Sequence, residues 1–375
     1  MIPFLRRIMS KAFLPLKKYF LPITLGLSAL LLAGCSSRSI MAASSWPGLA
    51  VNEDIAYLAY NQYVRAVDLS SGREVWSYPP EADNKLTFYA PPAIGPDGIV
   101  VIGGYNNEIL ALAPSNSYVN ILWSFEEATD RIIGGPVIID DMVLIPSADK
   151  HLYALDLESG EPIWDKPFEA EHALWSSPKV QDGRIYLASL DHHIYALDLE
   201  TGREIWRTDL SSAIPDSPSL TEDLILAGTV EGILYALSNS HGEIVWQFKA
   251  DGAIWGDPAI LDGVAFFADV SGTAYAIETA FGNELWRKKL PSSSAASPTI
   301  VEDRIFFVSE TGEVTALLLE NGNPIWPSSA DMAGRLLADP IPTDYSLLVP
   351  AMDSECEVFS VDPSTGASRC IIQPK

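Results

Sequence analysis

Six aromatic and acidic side chains recur at fixed distances before prolines and could together bind a cation, a sugar or a calcium ion. They are Tyr89, Trp175 and Trp255, each three positions before a proline, and Asp216, Asp257 and Asp339, each one or two positions before one. Aromatic faces attract cations, and carboxylate oxygens are calcium ligands. The alternative is that the rings pack beneath loops and that the carboxylates cap the entrances of strands. The choice depends on whether the surrounding elements bring these side chains to one place.

Residue types that perform catalysis are present, but their surroundings do not favour it. His192-His193 and the segment Asp149–His151 fall in turns, whereas the histidines of a metal site must converge on one point. Ser176-Ser177 and Ser292–Ser294 lack the flanking glycines of a nucleophile elbow and have no evident histidine partner. We therefore predict no catalytic residue, no cofactor-binding residue and no metal ligand.

The clearest structural unit is the stretch His193–Trp206, which indicates two antiparallel strands joined by a tight turn. Gly202 supplies a positive φ in this turn, and the Asp198 carboxylate can accept hydrogen bonds from the amides that follow it. Both faces of the first strand are apolar, so neighbouring sheets must cover it on both sides. A chain of hairpins achieves this cover by repeating the sheet and stacking the copies.

Copies of this unit recur at a period of about 40 residues, which is typical of propeller blades. Seven copies end in tryptophan: Trp76, Trp123, Trp164, Trp206, Trp246, Trp286 and Trp326. Eight prolines run in phase with the hairpins and suit the first residue of a strand: Pro47, Pro92, Pro136, Pro178, Pro218, Pro258, Pro298 and Pro340. One more apolar run lies between each proline and its hairpin. The pattern predicts an all-β fold, an eight-bladed β-propeller of four-stranded antiparallel blades over residues 46–375.

Two copies depart from the pattern. The second copy lacks both the aspartate and the glycine in residues 113–120, and we expect a longer turn there. The eighth copy keeps Asp362 and Gly366 but has Cys370 where the others have tryptophan. If its turn matches that of His193–Trp206, Cys356 and Cys370 lie on paired strands and on the same face. A disulfide between them is predicted, because it would close the last hairpin.

The motif Tyr-Ala-Leu-Asp-x-x-x-Gly-x-x-x-Trp resembles the pyrroloquinoline quinone (PQQ)-like repeat, and the resemblance covers about residues 46–372. The similar segments are Val64–Trp76, Leu152–Trp164, Ile194–Trp206, Leu234–Trp246, Ala274–Trp286 and Val314–Trp326. The resemblance implies that each repeat tryptophan packs against the neighbouring blade. It also implies what an enzyme of this superfamily would need: an adjacent cysteine pair, calcium ligands and a catalytic aspartate. This sequence has no adjacent cysteines, so neither PQQ nor calcium is expected.

The first 34 residues have the features of a targeting segment. A basic region without acidic residues precedes an apolar run, and Leu32-Ala33-Gly34-Cys35 closes it, as in bacterial lipoproteins. We expect a signal peptide over residues 1–34, lipidation of Cys35 and a short tether over residues 35–45. The chain would then be an exported lipoprotein of the cell envelope, on the extracellular face of the plasma membrane or the periplasmic face of an outer membrane.

The formal net charge of −25 limits the class of partner. Such a surface repels nucleic acid and anionic lipid headgroups, so membrane attachment is expected only through the lipid. Solubility explains the charge simply, and a cationic partner or calcium is the alternative. A closed ring of blades is expected to be monomeric.

With its lipoprotein signature, its length and its eight repeats, the sequence resembles the BamB-like outer-membrane assembly propellers. This resemblance implies a protein-binding scaffold that catalyses no reaction. We predict a lipid-anchored, non-catalytic propeller that binds other proteins or envelope components. Two alternatives stay open: a propeller that binds a saccharide or small ligand, and, less favoured, a PQQ-dependent dehydrogenase.

Overall fold

A computed structural model describes residues 46–115 and 118–375. The predicted signal peptide, Cys35 and the tether lie outside the described residues. Within the described ranges the strands form eight four-stranded sheets, and each sheet is built from four strands that are consecutive in the chain. The predicted all-β, eight-bladed propeller is therefore confirmed. No helix in the described part of the chain is long and apolar enough to cross a membrane.

The strands β1–β32 run in chain order, four to a blade. The innermost strands are β1 (Gly48–Asn52), β5 (Ala93–Ile94), β9 (Val137–Ile139), β13 (Lys179–Gln181), β17 (Ser219–Leu220), β21 (Ala259–Leu261), β25 (Thr299–Val301) and β29 (Ile341–Pro342). The second strands are β2 (Ile55–Tyr60), β6 (Val100–Gly103), β10 (Met142–Pro146), β14 (Arg184–Ala188), β18 (Leu224–Gly228), β22 (Val264–Ala268), β26 (Arg304–Val308) and β30 (Leu347–Pro350). One short 3-10 turn, Pro96–Gly98, lies between β5 and β6.

The outer half of each blade is the predicted hairpin. The third strands are β3 (Tyr63–Asp68), β7 (Ile109–Ser115), β11 (His151–Asp156), β15 (His193–Asp198), β19 (Ile233–Ser238), β23 (Thr273–Glu278), β27 (Glu313–Leu318) and β31 (Val358–Val361). The outermost strands are β4 (Arg73–Tyr78), β8 (Tyr118–Phe125), β12 (Phe168–Glu169), β16 (Glu204–Asp209), β20 (Ile244–Lys249), β24 (Glu284–Lys289), β28 (Ala330–Asp331) and β32 (Ser368–Ile372).

The fourth blade shows how the sequence sets the local structure. The four central residues of β15 are fully buried, because sheets on both sides cover their apolar side chains. At the end of β15, the Asp198 carboxylate accepts hydrogen bonds from the Thr201 amide (2.9 Å) and hydroxyl (2.6 Å). Gly202 follows with φ +67° and donates its amide to the Asp198 carbonyl oxygen (2.9 Å). The hairpin and its turn are as predicted.

In the blades that carry it, the repeat tryptophan packs against the turn of the next blade. The Trp164 ring of blade 3 lies over the turn glycine of blade 4, so close that a Cβ on Gly202 would stand 2.5 Å from Cε3 of the ring. The same indole donates its Nε1–H to the Leu199 carbonyl oxygen at 3.2 Å. Equivalent bonds join Trp123 to Leu157, Trp246 to Thr279, Trp286 to Leu319 and Trp326 to Pro363. The packing that the resemblance implied is present.

Trp206 is an exception, because its buried Nε1 has no hydrogen-bond partner among the described residues. The carbonyl oxygen at the equivalent position of blade 5 is that of Asn239. It instead accepts hydrogen bonds from Arg184 Nη1 (3.1 Å) and from the Tyr186 hydroxyl (3.2 Å). Two donors from blade 4 thus occupy the acceptor that the indole uses elsewhere.

Three details differ from the sequence prediction. Trp164 and Trp326 do not lie in an outermost strand, since β12 and β28 begin only after them. Pro162 and Pro324, two positions before these tryptophans, have no N–H to continue the ladder, so regular pairing is interrupted there. The turn of blade 2 is shorter than expected: β7 and β8 pair out to Ser115 and Tyr118, which leaves only residues 116–117 to connect them.

Blades 8 and 1 close the ring without exchanging a strand. Strand β1 lies beside β29, and the apolar side chains of Leu58, Leu348 and Ile372 share one core between the two blades. Arg65 forms a buried ion pair with Glu357 and donates a second bond to the Gln373 carbonyl oxygen (3.0 Å). These apolar and ionic contacts join the last blade to the first.

The last blade also carries a covalent link. Cys356 and Cys370 form a disulfide with their Cα atoms 5.7 Å apart, and they are separated by 14 positions in the chain. Cys370 is paired with Phe359 in the hairpin of β31 and β32, and Cys356 lies just before β31. The bond therefore ties together the two ends of the terminal hairpin.

A candidate binding site in the central cavity

A cavity of about 580 Å³ opens where the innermost strands begin. Every blade contributes to its wall, so it lies on the axis of the ring. One lining residue from each blade in turn is Trp46, Tyr89, Ile133, Trp175, Asp216, Trp255, Ala295 and Leu337. The long loops and strand entrances of one face of the propeller surround its mouth.

All six side chains singled out from the sequence line this cavity: Tyr89, Trp175, Asp216, Trp255, Asp257 and Asp339. They meet because the segment before each marker proline enters an innermost strand in the same way in every blade. The position three before the proline is aromatic in blades 2, 4 and 6. In blades 3, 5, 7 and 8 the same position is apolar: Ile133, Pro215, Ala295 and Leu337.

The aromatic side chains differ in their surroundings. The Tyr89 ring lies 5.4 Å from that of Trp46 and stacks 5.1 Å from that of Tyr105, measured between ring centroids. Burial, with Tyr105 adding to it, raises the pKa of Tyr89 to about 12. Trp255 is 36% exposed to the cavity. Trp175 is half-buried, and its Nε1 is buried without a hydrogen-bond partner among the described residues.

The three aspartates are held together by one serine. Ser297 donates its amide to Asp339 Oδ1 at 2.7 Å, and its hydroxyl reaches Asp216 Oδ2 at 3.5 Å. The same hydroxyl accepts the amide of Asp257 at 3.2 Å. The Ser217 amide donates to the other oxygen of Asp216 at 2.8 Å. Backbone amides and one hydroxyl thus fix the carboxylates of Asp216 and Asp339, and the same hydroxyl holds the backbone of Asp257 beside them.

Two cationic side chains face the cavity, and each has a partner. Lys179 Nζ lies 3.4 Å from Asp257 Oδ2, and Arg335 Nη2 lies 2.6 Å from Glu310 Oε1. Asp216 and Asp339 form no ion pair within the described ranges. Sequence reasoning missed Lys179, Ser297 and Arg335, since no spacing in the chain indicates which side chains meet across the ring.

The unpaired carboxylates are in an environment that disfavours their charge. Burial raises the pKa of Asp216 well above its ordinary value, and the charges of Asp257 and Asp339 raise it further. The side chain of Asp339 is exposed to the cavity, whose walls partly enclose it. This enclosure and the charge of Asp257 raise the pKa of Asp339 to about 6. Once both groups have lost their protons, the cavity carries a negative charge that its own paired cations do not neutralise.

The donor set does not fit the quinone that gives the repeat its name. PQQ is a tricarboxylate, and it would place its negative charges against Asp216 and Asp339, while Lys179 and Arg335 are already paired. The carboxylates are also too dispersed for a metal: within residues 46–115 and 118–375 no three His, Cys, Asp or Glu side chains could hold one ion.

The histidines and serines weighed in the sequence lie in structural positions. His151 Nδ1 is 3.2 Å from Asp149, and His193 Nδ1 is 3.1 Å from Asp191, each within its own turn. The hydroxyls of Ser176 and Ser294 are buried and donate to backbone carbonyl oxygens at 2.9 and 2.8 Å. These hydrogen bonds show that the imidazoles and hydroxyls stabilise the turns and the strand entrances.

A second cavity, of about 450 Å³, lies on the opposite face of the propeller between blades 6 and 7. Apolar side chains such as Leu261, Val264 and Phe266 line it, and Asp262 and Glu302 stand at its rim. It contains none of the residues predicted from the sequence.

The fold and the repeat define the class of this chain: an eight-bladed propeller of PQQ-like repeats with an acidic central cavity. Four overlapping stretches, residues 60–173, 158–254, 190–335 and 231–371, match the family described as "Outer membrane protein assembly factor BamB". The chain belongs to this family.

Individual relatives are distant. The outer membrane protein assembly factor BamB of Marinobacter adhaerens is 26% identical over 123 residues, which is 33% of this chain and 29% of that protein. The match thus spans less than a third of the relative.

Solved structures share the fold. BamB from Moraxella catarrhalis superposes with a TM-score of 0.68 at 19% identity, over 83% of this chain and 92% of that one. The computationally designed Ika8 protein gives a TM-score of 0.69 at 13% identity, over 88% and 98% of the two chains. A europium-containing methanol dehydrogenase gives 0.67 at 13% identity, over 84% and 81%. Because a designed protein and an enzyme superpose equally well, these likenesses carry the fold and not the activity.

Proposed function

We propose that this protein is a non-catalytic, lipid-anchored scaffold that binds other proteins during the assembly of outer-membrane proteins. The observation that carries the proposal is the family match, which runs through all but the first part of the propeller. The dehydrogenase alternative has only a likeness of fold in its favour, and the charge of the central cavity opposes an anionic quinone.

The circumference of the ring supports binding to protein. The residue before the repeat tryptophan points away from the core, and in five successive blades it is apolar and 41–54% exposed: Leu122, Ile163, Ile205, Val245 and Leu285. Each lies in or just before the outermost strand of its blade, whose outer edge is unpaired. Exposed apolar side chains that recur on neighbouring elements are typical of protein contact surfaces.

The test is site-specific photo-crosslinking in membranes that contain the full-length protein. A photoreactive residue is placed at Val245 on the circumference, at Trp255 in the cavity mouth, and at Tyr345, which is 86% exposed on the opposite face. Captured proteins are identified by mass spectrometry. Components of the outer-membrane assembly machinery are expected at Val245 and not at Tyr345. Capture of no such component at any of the three positions contradicts the proposal.

The proposed anchor has a separate test. Full-length protein with Cys35 intact is expected to sediment with the outer membrane and to carry a lipid-sized mass increment on its first mature residue. Cys35→Ser is expected to leave the propeller folded but release it from the membrane. Membrane retention of the Cys35→Ser protein would contradict anchoring through this residue.

A further inference from the structure

We propose that the central cavity is a binding site for an organic cation that carries an amino or guanidinium group. Its acidic half recognises the charged group, and its aromatic half covers the attached carbon chain. Such a group can come from a free small amine or from a lysine or arginine side chain that a partner protein inserts. Both sources present the same chemistry to the cavity.

The charge of the cavity is confined to one side. Blades 5 to 8 contribute all of its carboxylates: Asp216, Asp257, Glu310 and Asp339. Blades 1 to 4 contribute no acidic residue, and their only charged lining residue is Lys179. Once the Lys179–Asp257 and Arg335–Glu310 pairs are formed, Asp216 and Asp339 are the groups left without a counter-charge.

These two carboxylates already have their backbone donors in place. Asp216 Oδ1 receives the Ser217 amide, and Asp339 Oδ1 receives the Ser297 amide. The second oxygen of Asp216 has only the long contact of 3.5 Å from Ser297. A ligand with several N–H donors on a positive centre would satisfy the remaining acceptor capacity and the charge together, as ammonium and guanidinium groups do.

The opposite wall is aromatic and apolar. Trp46, Tyr89 and Trp175 come from blades 1, 2 and 4, and Trp255 stands among the acidic blades with 36% of its surface exposed. Cations attached to apolar stems bind well where a carboxylate and an aromatic face are presented together. A cavity of about 580 Å³ holds a molecule of several carbon atoms rather than a bare ion.

The observations favour an amine over the other ligands weighed from the sequence. No three acidic, histidine or cysteine side chains in the described ranges converge as a metal site does. A neutral sugar would leave Asp216 and Asp339 without a counter-charge, and an anion would be repelled by their carboxylates. Of these ligands, only an organic cation would both pair with the two carboxylates and pack against the aromatic wall.

The titration of the site gives an independent readout. Asp216 faces Asp257, Asp339 and Lys179, together with the dipoles of Ser217 and Ser297, and Glu310 and Arg335 stand at the mouth. Its raised pKa means that a cation binds more tightly when Asp216 has lost its proton. The pKa of Asp339 is raised to about 6, so affinity is expected to rise as the pH increases through about 6, with proton release on binding below that pH.

The test is isothermal titration of the mature propeller with agmatine, which carries both an amine and a guanidinium, and with the neutral analogue pentan-1-ol. Agmatine is expected to bind and pentan-1-ol is not. The double variant Asp216→Asn, Asp339→Asn is expected to weaken agmatine binding by at least about tenfold. The matched control Asp344→Asn removes an exposed carboxylate from a turn on the opposite face and is expected to change nothing.

A third probe separates the two sources. If the natural ligand is a side chain of a partner, a short peptide with one central arginine is expected to bind at least about tenfold more tightly than agmatine. If it is a free amine, the order reverses. Melting curves establish that each variant is folded, and the pH dependence of agmatine binding to the unaltered protein does not depend on any variant.

Four outcomes with the organic probes overturn the proposal. They are no binding of either cation, equal binding of pentan-1-ol, an equal loss of binding in Asp344→Asn, and agmatine affinity that does not change with pH. Calcium chloride alone is titrated as well. Calcium binding that disappears in the double variant would identify a metal site and contradict an organic ligand.

Discussion

The contribution of the repeat tryptophan to stability, through its packing against the next blade, can be measured with two glycine substitutions that differ in one contact. Gly72 and Gly202 occupy the same turn position, with φ +69° and +67°, and each donates its amide to the aspartate at the start of its turn. A Cβ on Gly202 would stand 2.5 Å from the Trp164 ring, whereas a Cβ on Gly72 would meet nothing within 4 Å. The difference arises because blade 8 has Cys370 in place of the tryptophan.

The expected magnitudes follow from these geometries. Gly72→Ala forces alanine into a left-handed conformation and should lower the free energy of unfolding by about 1–2 kcal/mol. Gly202→Ala carries the same backbone strain and must also displace the Trp164 ring, which adds about 1–3 kcal/mol. Urea unfolding followed by far-ultraviolet circular dichroism measures both values, provided that the slope of the transition is unchanged.

A double variant isolates the contact. Combining Gly202→Ala with Trp164→Leu is expected to lower stability less than the sum of the two single changes, by about the clash energy of 1–3 kcal/mol. Trp164→Leu combined with Gly72→Ala should be additive, because those residues do not touch. Equal losses of unfolding free energy for Gly72→Ala and Gly202→Ala would refute the packing argument, because both losses would then come from backbone strain alone.

Three further predictions concern ring closure, the disulfide and the cavity. Arg65→Ala leaves the buried Glu357 carboxylate unpaired and should cost about 3–5 kcal/mol in urea unfolding, whereas Glu357→Gln should cost less; equal losses would contradict this account. Cys356→Ser removes a disulfide that closes a loop over 14 positions and should lower the free energy of unfolding by about 3 kcal/mol. Reduction of the unaltered protein should have the same effect. A melting point that does not change on reduction would contradict the presence of the disulfide. Asp216→Asn should melt at a higher temperature than the unaltered protein at alkaline pH, and this difference should shrink as the pH falls. The reason is that the raised pKa of the Asp216 carboxyl makes its ionised form destabilise the folded state, whereas its protonated form does not. A difference that grows on acidification would contradict this sign.

The fold was predictable because its markers are local. The Asp198–Gly202 turn, the repeat tryptophan and the strand-initiating proline each act within a few residues, and counting them gave the number of blades. The predicted strands and turns were wrong where the chain carries residues that depart from the repeat motif. Pro162 and Pro324 interrupt the outermost strands, and blade 2 extends its hairpin in place of a longer turn.

The candidate site was predictable only in part. Spacing from the prolines placed Trp175 and Trp255 at equivalent positions around the axis and Asp257 two positions further along, and in the structure all three line the cavity. Their partners were not predictable, because contacts across a ring depend on its diameter and on side-chain reach. Lys179 pairs with Asp257 two blades away, and Ser297 donates to the carboxylates of Asp216 and Asp339 while its hydroxyl accepts the backbone amide of Asp257.

A ring of repeats separates the residues that build the fold from those that can give it specificity. The turn residues and the repeat tryptophan recur in most blades, so these positions do little to distinguish one side of the ring from another. Asymmetry in the central cavity must come from positions that do not repeat, and here they place all the carboxylates on blades 5 to 8 and three of the four aromatic side chains on blades 1 to 4. A symmetric ligand would gain nothing from this division. A molecule with one charged and one apolar end would bind in a single orientation, with its charge towards Asp216 and Asp339. Reversing the division, by placing a carboxylate at Ile133 and removing that of Asp216, should therefore weaken such a ligand even though the total charge of the cavity is unchanged.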